Sequence, residues 1–210
     1  MKSVTLIFCI AVAAVLAGCA APASQQYYTL VPQAQAPAHP ATSSAGFAIR
    51  VLPVSVPEQV DRPQIMLSTQ GSNAMTMLNG SLWASPLADE IRSALSSDLS
   101  ARLGVMDIPG GPVPESVPLW RIGVIVQRFD SVYGSQALID ATWRLDGPAR
   151  EKSPARICRA VIRVPVEPGV APMVQGHQKA VAYLAAAIAS QLSKTPLDVP
   201  AGSVIMKGCT

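Results

Sequence analysis

Few residues in this chain have the side-chain chemistry of a catalytic or metal site, and they form no familiar reactive pattern. The sequence contains two histidines, His39 and His177, and four cysteines. No His-Glu-x-x-His or Cys-x-x-Cys motif signals zinc, no Gly-x-Ser-x-Gly motif signals an esterase, and no glycine loop signals a nucleotide. His177 stands near the start of the last predicted helix, where we expect a surface position. The sequence therefore predicts no catalytic residue, no metal and no cofactor.

Two isolated aspartates are the remaining candidates for an acid or a base. Asp61 and Asp140 lie in or near predicted strands, and Arg62 directly follows Asp61. A lone aspartate beside an arginine is usually a structural ion pair. We therefore interpret Asp61-Arg62 as a turn or a fixed polar contact rather than as a catalytic group.

Cys19 is the cysteine with the clearest chemical context. Lys2 is followed by an apolar run, residues 4–16, which has the length of a signal-peptide core and is too short to span a bilayer comfortably. Small residues then lead into the cysteine as Leu16-Ala17-Gly18-Cys19. This motif resembles the bacterial lipoprotein box, in which the thiol is acylated and the cysteine becomes the first residue. The alternative is an ordinary signal peptide with a chance cysteine.

The lipoprotein resemblance implies a covalent lipid on Cys19 and attachment to a membrane outside the cytoplasm. Each buried acyl methylene adds about 0.8 kcal/mol of membrane affinity, so several chains make release negligible. Ala20 follows the cysteine, whereas an aspartate there tends to retain lipoproteins in the inner membrane. The expected location is therefore the periplasmic face of the outer membrane.

Two cysteines remain after processing, because Cys9 is lost with the signal peptide and Cys19 is acylated. Cys158 and Cys209 would then lie in an oxidising compartment, which favours a disulfide between them. The alternative is a buried Cys158 and a free Cys209 on a frayed tail. The disulfide would hold the C-terminal tail against a strand.

Composition predicts one folded domain and argues against a nucleic-acid partner. Loss of Lys2 with residues 1–18 lowers the formal net charge from +3 to +2, and the sequence has no block of basic residues. The predicted organisation is a signal peptide (1–18), a lipidated tether and linker with a short β-prone patch (19–46), and a single α+β domain (47–210).

Hydrophobic periodicity predicts the elements of that domain. An apolar stripe repeating every four residues predicts a helix over 85–103, capped by Ser85 and ended by Gly104, and a second helix follows at about 175–193. Alternating apolar residues predict strands at 120–129, 137–145 and 157–166. Shorter strands are predicted at 47–54, 64–68 and 75–78, with a turn at Asn79-Gly80. The predicted fold is an α+β mixed, largely antiparallel sheet with two amphipathic helices packed on one face.

Arginines alternate along the polar faces of the later predicted strands, at Arg121, Arg144, Arg159 and Arg163. Such a stripe could bind an acidic partner or lipid headgroups. A solvated sheet face is the simpler interpretation.

Four segments carry a family resemblance: Tyr27-Tyr28-Thr29-Leu30, Ile49-Arg50-Val51, Asp61-Arg62-Pro63-Gln64-Ile65 and Leu82-Trp83-Ala84-Ser85-Pro86-Leu87. The chain resembles the ABC-type transport auxiliary lipoproteins, also called the PqiC/YmbA family. It departs from the family pattern at Gln59-Val60, Leu82 and Ser85. The resemblance marks six signature positions as candidates for partner contact, with Trp83 either in the core or at an interface: Asp61, Arg62, Pro63, Gln64, Trp83 and Pro86.

The resemblance implies a non-enzymatic role in transport between membranes. Relatives act beside periplasmic proteins with MCE domains and an associated inner-membrane transporter, which move phospholipid or other hydrophobic molecules. The implied role is to dock the periplasmic component at the outer membrane, and a ring-like dock would make the lipoprotein a homo-oligomer. The alternatives are a free-standing lipid- or solute-binding lipoprotein, which needs an enclosed apolar pocket, and a hydrolase, which needs a nucleophile and a base.

Overall fold

The computed structural model describes residues 24–32, 46–72, 74–148 and 154–210. The predicted signal peptide, Cys19 and most of the predicted linker lie outside these ranges. The described residues form, in chain order, β1 (Gln26–Tyr28), β2 (Ala48–Val51), β3 (Gln64–Ser68), β4 (Met75–Trp83), α1 (Leu87–Leu103), β5 (Leu119–Val132), β6 (Gln136–Asp146), β7 (Arg156–Pro165), α2 (Val170–Ser193) and β8 (Val204–Cys209).

The long strand β5 organises the sheet. On one side it begins an antiparallel meander that continues through β6, β7 and β8. On its other side β2 pairs in parallel with the first residues of β5, and β3 meets the strand at its last residue, Val132. β4 then pairs antiparallel with β3, and β1 pairs in parallel with β4. The predicted mixed, largely antiparallel sheet is confirmed.

Both helices cover one face of this sheet, as predicted. The α1 stripe formed by Leu87, Ile91, Leu95 and Leu99 is buried, because its four-residue spacing keeps these side chains on one side of the helix. α2 packs against α1, β6 and β7 and buries most of its apolar side chains. Neither described helix has the length and hydropathy that crossing a bilayer would require.

Two element boundaries differ from the predictions. β4 continues through Asn79-Gly80, where a turn is predicted, because the register jump between Gln64 and Ile65 absorbs the extra residues as a bulge. α2 begins at Val170 instead of near residue 175, with Pro172 in its first turn. Proline is tolerated there because the first amides of a helix have no intrahelical partner.

The ends of α1 follow the prediction only in part. Gly104 ends the helix in the left-handed conformation, with φ 62°, as predicted. Ser85 does not cap the start, because the cap position belongs to Pro86 and makes no side-chain cap bond. The Ser85 hydroxyl instead donates to Glu90 Oε1 over 2.8 Å.

The β-prone patch is part of the sheet rather than part of a tether that ends at residue 46. β1 pairs with residues 81–83 of β4, and the next residues are held against the helices. Leu30 is fully buried, and Gln178 of α2 donates to the carbonyl of Thr29 over 2.9 Å. The folded unit therefore reaches back to β1, before the predicted domain start at residue 47.

Cys158 and Cys209 face each other across β7 and β8 and are joined by a disulfide. Cys158 is buried and Cys209 is exposed on the last strand. The bond therefore fixes β8, which forms the edge of the sheet, to the meander.

Removing this disulfide should destabilise the domain. The bond closes a loop with a sequence separation of 51 residues, for which loop-closure entropy gives about 4 kcal/mol. We expect the Cys158→Ser/Cys209→Ser double variant of a Cys19→Ala mature chain to lose about this much free energy of unfolding in denaturant titration. Reductant should destabilise the parent and leave the double variant unchanged. Alkylation of both thiols in unreduced protein would contradict the bond.

Gly176 should be intolerant of a side chain because α2 approaches the sheet closely there. A Cβ at this position would lie 2.2 Å from Val166 Cγ1 and 3.1 Å from Ala137 Cβ. Overpacking costs about 1–3 kcal/mol, more than alanine gains in helix propensity, so Gly176→Ala should lower the free energy of unfolding by about 1–2 kcal/mol. Gly110→Ala is the matched control for thermal unfolding, since no atom lies within 4 Å of its added Cβ. Equal stability of the two variants would refute the close approach.

Candidate partner-binding cleft

The two most specific signature segments meet because β3 and β4 are antiparallel neighbours. β3 begins at Gln64 and β4 ends at Trp83, so the start of one strand lies beside the end of the other. The Trp83 amide donates to the carbonyl of Pro63 over 2.7 Å. Residues that are about 20 positions apart in the sequence thus form one continuous surface.

A tight turn presents Asp61 and Arg62 to solvent. The amides of Val60 and Asp61 both donate to the carbonyl of Pro57, over 3.0 and 3.1 Å. The side chains of Asp61 and Arg62 are exposed, and within the described ranges neither forms an internal salt bridge. The turn expected from the sequence is present, but the fixed side-chain contact is not.

Five of the six predicted signature residues line a cleft of about 440 Å³. Asp61, Arg62 and Pro63 form one wall, Ala84, Ser85 and Pro86 form the other, and the buried Trp83 lies beneath them. Gln64 is the exception, because it starts β3 beside the cleft without lining it. The cleft therefore combines one exposed acid, one exposed base and apolar proline and tryptophan surfaces.

Trp83 forms the floor of the cleft and belongs mainly to the core. Its side chain is only 4% exposed and packs edge-on against Phe129, with ring centroids 6.1 Å apart. Burial of a large aromatic side chain against a second ring holds its position, so the cleft floor is rigid.

His177 extends the ring packing beneath the floor, and the predicted surface position is wrong. The earlier start of α2 places this residue within the helix, on the face that packs against the sheet. The imidazole is fully buried, stacks on Phe129 at 3.9 Å and lies 2.8 Å from the Ser131 hydroxyl through Nε2. Among the described residues, its Nδ1 has no hydrogen-bond partner. Burial lowers the pKa of His177 to about 3, so the ring is neutral at ordinary pH.

Glu90 is the functional residue that the sequence argument missed. Its Oε2 accepts hydrogen bonds from the Thr29 hydroxyl (2.7 Å) and the Leu30 amide (2.8 Å), while Oε1 accepts from Ser85. The carboxyl group thus ties the segment after β1 to the rim of the cleft. Its position in the sequence could have revealed it. Glu90 lies three residues after Leu87 on the apolar face of α1, where an isolated glutamate requires polar partners.

Two arginines of the predicted stripe are neutralised within the sheet. Arg159 donates to both carboxyl oxygens of Asp140, at 2.9 and 2.8 Å, and Arg144 pairs with Asp146 at 2.8 Å. The hydrogen bond from Arg159 lowers the pKa of Asp140, which keeps this carboxyl ionised rather than poised for proton transfer. These pairs favour the interpretation of a solvated sheet face.

A sheet covered by two helices on one face, with a signature-lined cleft at one end, defines an α+β domain. The family model for the ABC-type transport auxiliary lipoprotein component matches residues 28–189. The chain belongs to this family, which confirms the predicted resemblance.

Named relatives agree with this assignment, and two solved structures share the fold. The chain is 24% identical over 131 residues to the intermembrane transport lipoprotein PqiC of Escherichia coli strain K12, covering 62% of this chain and 68% of that protein. PqiC of Shigella flexneri matches equally well. A crystal structure of an uncharacterized protein has a TM-score of 0.59 at 20% identity, and one from Xanthomonas campestris has 0.55 at 16%. Both cover 80% of this chain and 99% of their own, which supports the fold.

The buried imidazole predicts a loss of stability in mild acid. The unfolded chain binds a proton at His177 below about pH 6.5, whereas the folded chain does so only near pH 3. The free energy of unfolding should therefore fall as pH decreases between these values, by about 1.4 kcal/mol per unit, or about 2 kcal/mol between pH 6.5 and 5. Denaturant titrations at several pH values should show this slope in the parent and in His39→Gln. The same slope in His177→Gln would contradict the assignment.

Proposed function

We propose that this chain is an outer-membrane-anchored periplasmic lipoprotein that acts as a non-catalytic accessory subunit of an intermembrane lipid transport system. Its lipidated Cys19 would hold it at the membrane. Its folded domain would dock the MCE-domain component that crosses the periplasm from an inner-membrane transporter. Membership of the auxiliary lipoprotein family supports this proposal, as does similarity to proteins named as intermembrane transport lipoproteins.

The observation that carries the proposal is the exposed Asp61-Arg62 pair at the rim of the cleft. Other arginines of the domain, such as Arg144 and Arg159, already have carboxylate partners within the sheet. Arg62 has no such partner among the described residues, so its guanidinium is free to form a bidentate contact with another protein. Arginine beside aromatic and other apolar surface is the typical composition of an interface hot spot.

The rigidity of the cleft also suits a docking role. Main-chain hydrogen bonds fix both walls, and the Trp83 floor rests on Phe129. A preformed surface loses little side-chain or loop entropy on binding, so more of the contact energy appears as affinity.

The direction of the strands would separate the cleft from a membrane anchor at Cys19. β1 runs parallel to β4, so the residues just before β1, Ser24 and Gln25, lie on the side of β1 toward the start of β4 at Met75. The cleft lies at the other end, beyond Trp83. In the proposed function the cleft therefore faces the periplasm, where a partner from the inner membrane would arrive.

The alternative is a free-standing carrier of lipid or another solute. Such a carrier needs an enclosed apolar pocket, whereas this cleft is walled mostly by exposed residues and includes two charged side chains. The docking role therefore fits the cleft better than the carrier role does.

A co-purification experiment tests the docking role. The tagged lipoprotein is extracted in detergent as wild type, Cys19→Ala, Arg62→Ala and Arg163→Ala, and the recovered proteins are identified and quantified by mass spectrometry. We expect an MCE-domain protein with wild type and with Arg163→Ala, which removes an exposed arginine outside the cleft. Arg62→Ala should reduce its recovery by about tenfold, the effect of losing a hot-spot contact.

The Cys19→Ala variant tests the anchor, and the remaining outcomes test the docking contact. Cys19→Ala should move the protein out of the membrane fraction. Recovery of the lipoprotein without a protein partner but with bound lipid would overturn docking in favour of the carrier. Equal recovery with Arg62→Ala and Arg163→Ala would place the contact outside the cleft.

A further inference from the structure

The chain between Cys19 and the described domain is short. Ser24 is five residues after Cys19. Even fully extended, this segment spans at most about 18 Å, because a residue covers no more than about 3.6 Å. If Cys19 is acylated, as the proposed function requires, the domain cannot stand far from the bilayer.

Ser24 and Gln25 enter β1 from the side of the β3–β4 hairpin, because β1 runs parallel to β4. The carbonyl oxygen of Ser24 lies beside Gly80, 3.9 Å from where its Cβ would be. From Gly80 the strand continues back to Met75, which is about 17 Å at 3.3–3.4 Å per residue. An anchor segment that continued in this direction would reach no farther than the end of the hairpin, so a bilayer on this side would lie within contact distance of the hairpin.

The side chains at this end suit a membrane interface. The sequence from Gln64 to Ala88, which contains the whole hairpin, has no Asp, Glu, Lys or Arg. Met75 and Met77 are 41% and 42% exposed. Tyr133 is 49% exposed in the β5–β6 turn, and its amide donates to the carbonyl of Ser68 at the end of β3 over 3.0 Å. We name Met75, Met77 and Tyr133 the hairpin end.

We propose that the hairpin end contacts the bilayer to which Cys19 is attached. Flexible methionine side chains fill irregular apolar surroundings, and tyrosine is enriched where membrane meets water. None of these three side chains carries a charge, and the neighbouring Arg128 and Asp130 are paired with each other, so no unpaired ion has to be desolvated when the side chains enter the headgroup region. The contact would also fix the orientation of the domain, with the cleft directed away from the bilayer.

A single-thiol fluorescence experiment tests this contact on the intact lipoprotein. Cys19 carries the lipid and the other mature cysteines form the disulfide, so Met77→Cys introduces the one free thiol. The lipidated protein is labelled with an environment-sensitive dye and reconstituted into vesicles of phosphatidylethanolamine and phosphatidylglycerol. A fraction of the lipid carries a nitroxide quencher near the headgroups.

Ile125→Cys provides the matched control. Ile125 is 54% exposed on β5 and lies seven residues before the end of that strand, about 20 Å from the hairpin end. Apolar groups at an interface lie about 5–10 Å into the headgroup boundary, so the Met77 label should be blue-shifted and quenched at least about threefold more than the Ile125 label.

Each result decides the proposal. Preferential quenching at position 77 supports it. Equal quenching at the two positions, or none at either while the protein floats with the vesicles, overturns the contact and leaves the proposed anchor intact. Failure of the wild type to float with vesicles would remove the anchor itself, and the proposed function would fail with it.

Discussion

The antiparallel register of β3 and β4 is the constraint on which the rest of the site depends. It places the Trp83 amide on the Pro63 carbonyl and so brings the two signature segments together. A register shift by one residue would turn every side chain of a strand to the opposite face, moving Trp83 out of the core. The contact of Trp83 with Phe129 opposes such a shift, because it anchors the end of β4 to the centre of the sheet. Strand pairing therefore brings the two segments together, and the turn before β3 then presents Asp61 and Arg62 at the cleft.

A buried carboxyl group connects this site to the chain that leads to the anchor. Glu90 accepts hydrogen bonds from Thr29, Leu30 and Ser85, which belong to the segment after β1 and to the cleft rim. Loss of a buried acceptor leaves its donors unsatisfied at a cost of about 1–3 kcal/mol for each group. The position of β1 is thus coupled to the start of α1. These hydrogen bonds hold β1 and the rim of the cleft in fixed positions relative to each other.

The surfaces at the two ends of β4 differ in their side chains. The hairpin end lies at the start of β4, and the cleft with Arg62 lies at the opposite end of that strand. The outer face of the sheet carries arginines such as Arg144 and Arg159 that are paired with aspartates. In the proposed function, a domain built in this way would rest on one membrane and present a rigid surface to a partner from the other.

The sequence by itself determined the covalent motif at Cys19, the fold class, the α1 stripe and the identity of the signature residues. These follow from local patterns, namely small residues before a cysteine, four-residue and two-residue apolar periods, and short motifs. Only the tertiary structure decided that Asp61 and Trp83 share one cleft, that Glu90 accepts hydrogen bonds from three other residues and that His177 is buried. These properties depend on contacts between residues far apart in the chain, where strand register and helix packing override local preference. The turn expected at Asn79-Gly80 gave way to a bulged strand for the same reason, since pairing with β3 stabilises the extended backbone more than a local turn would.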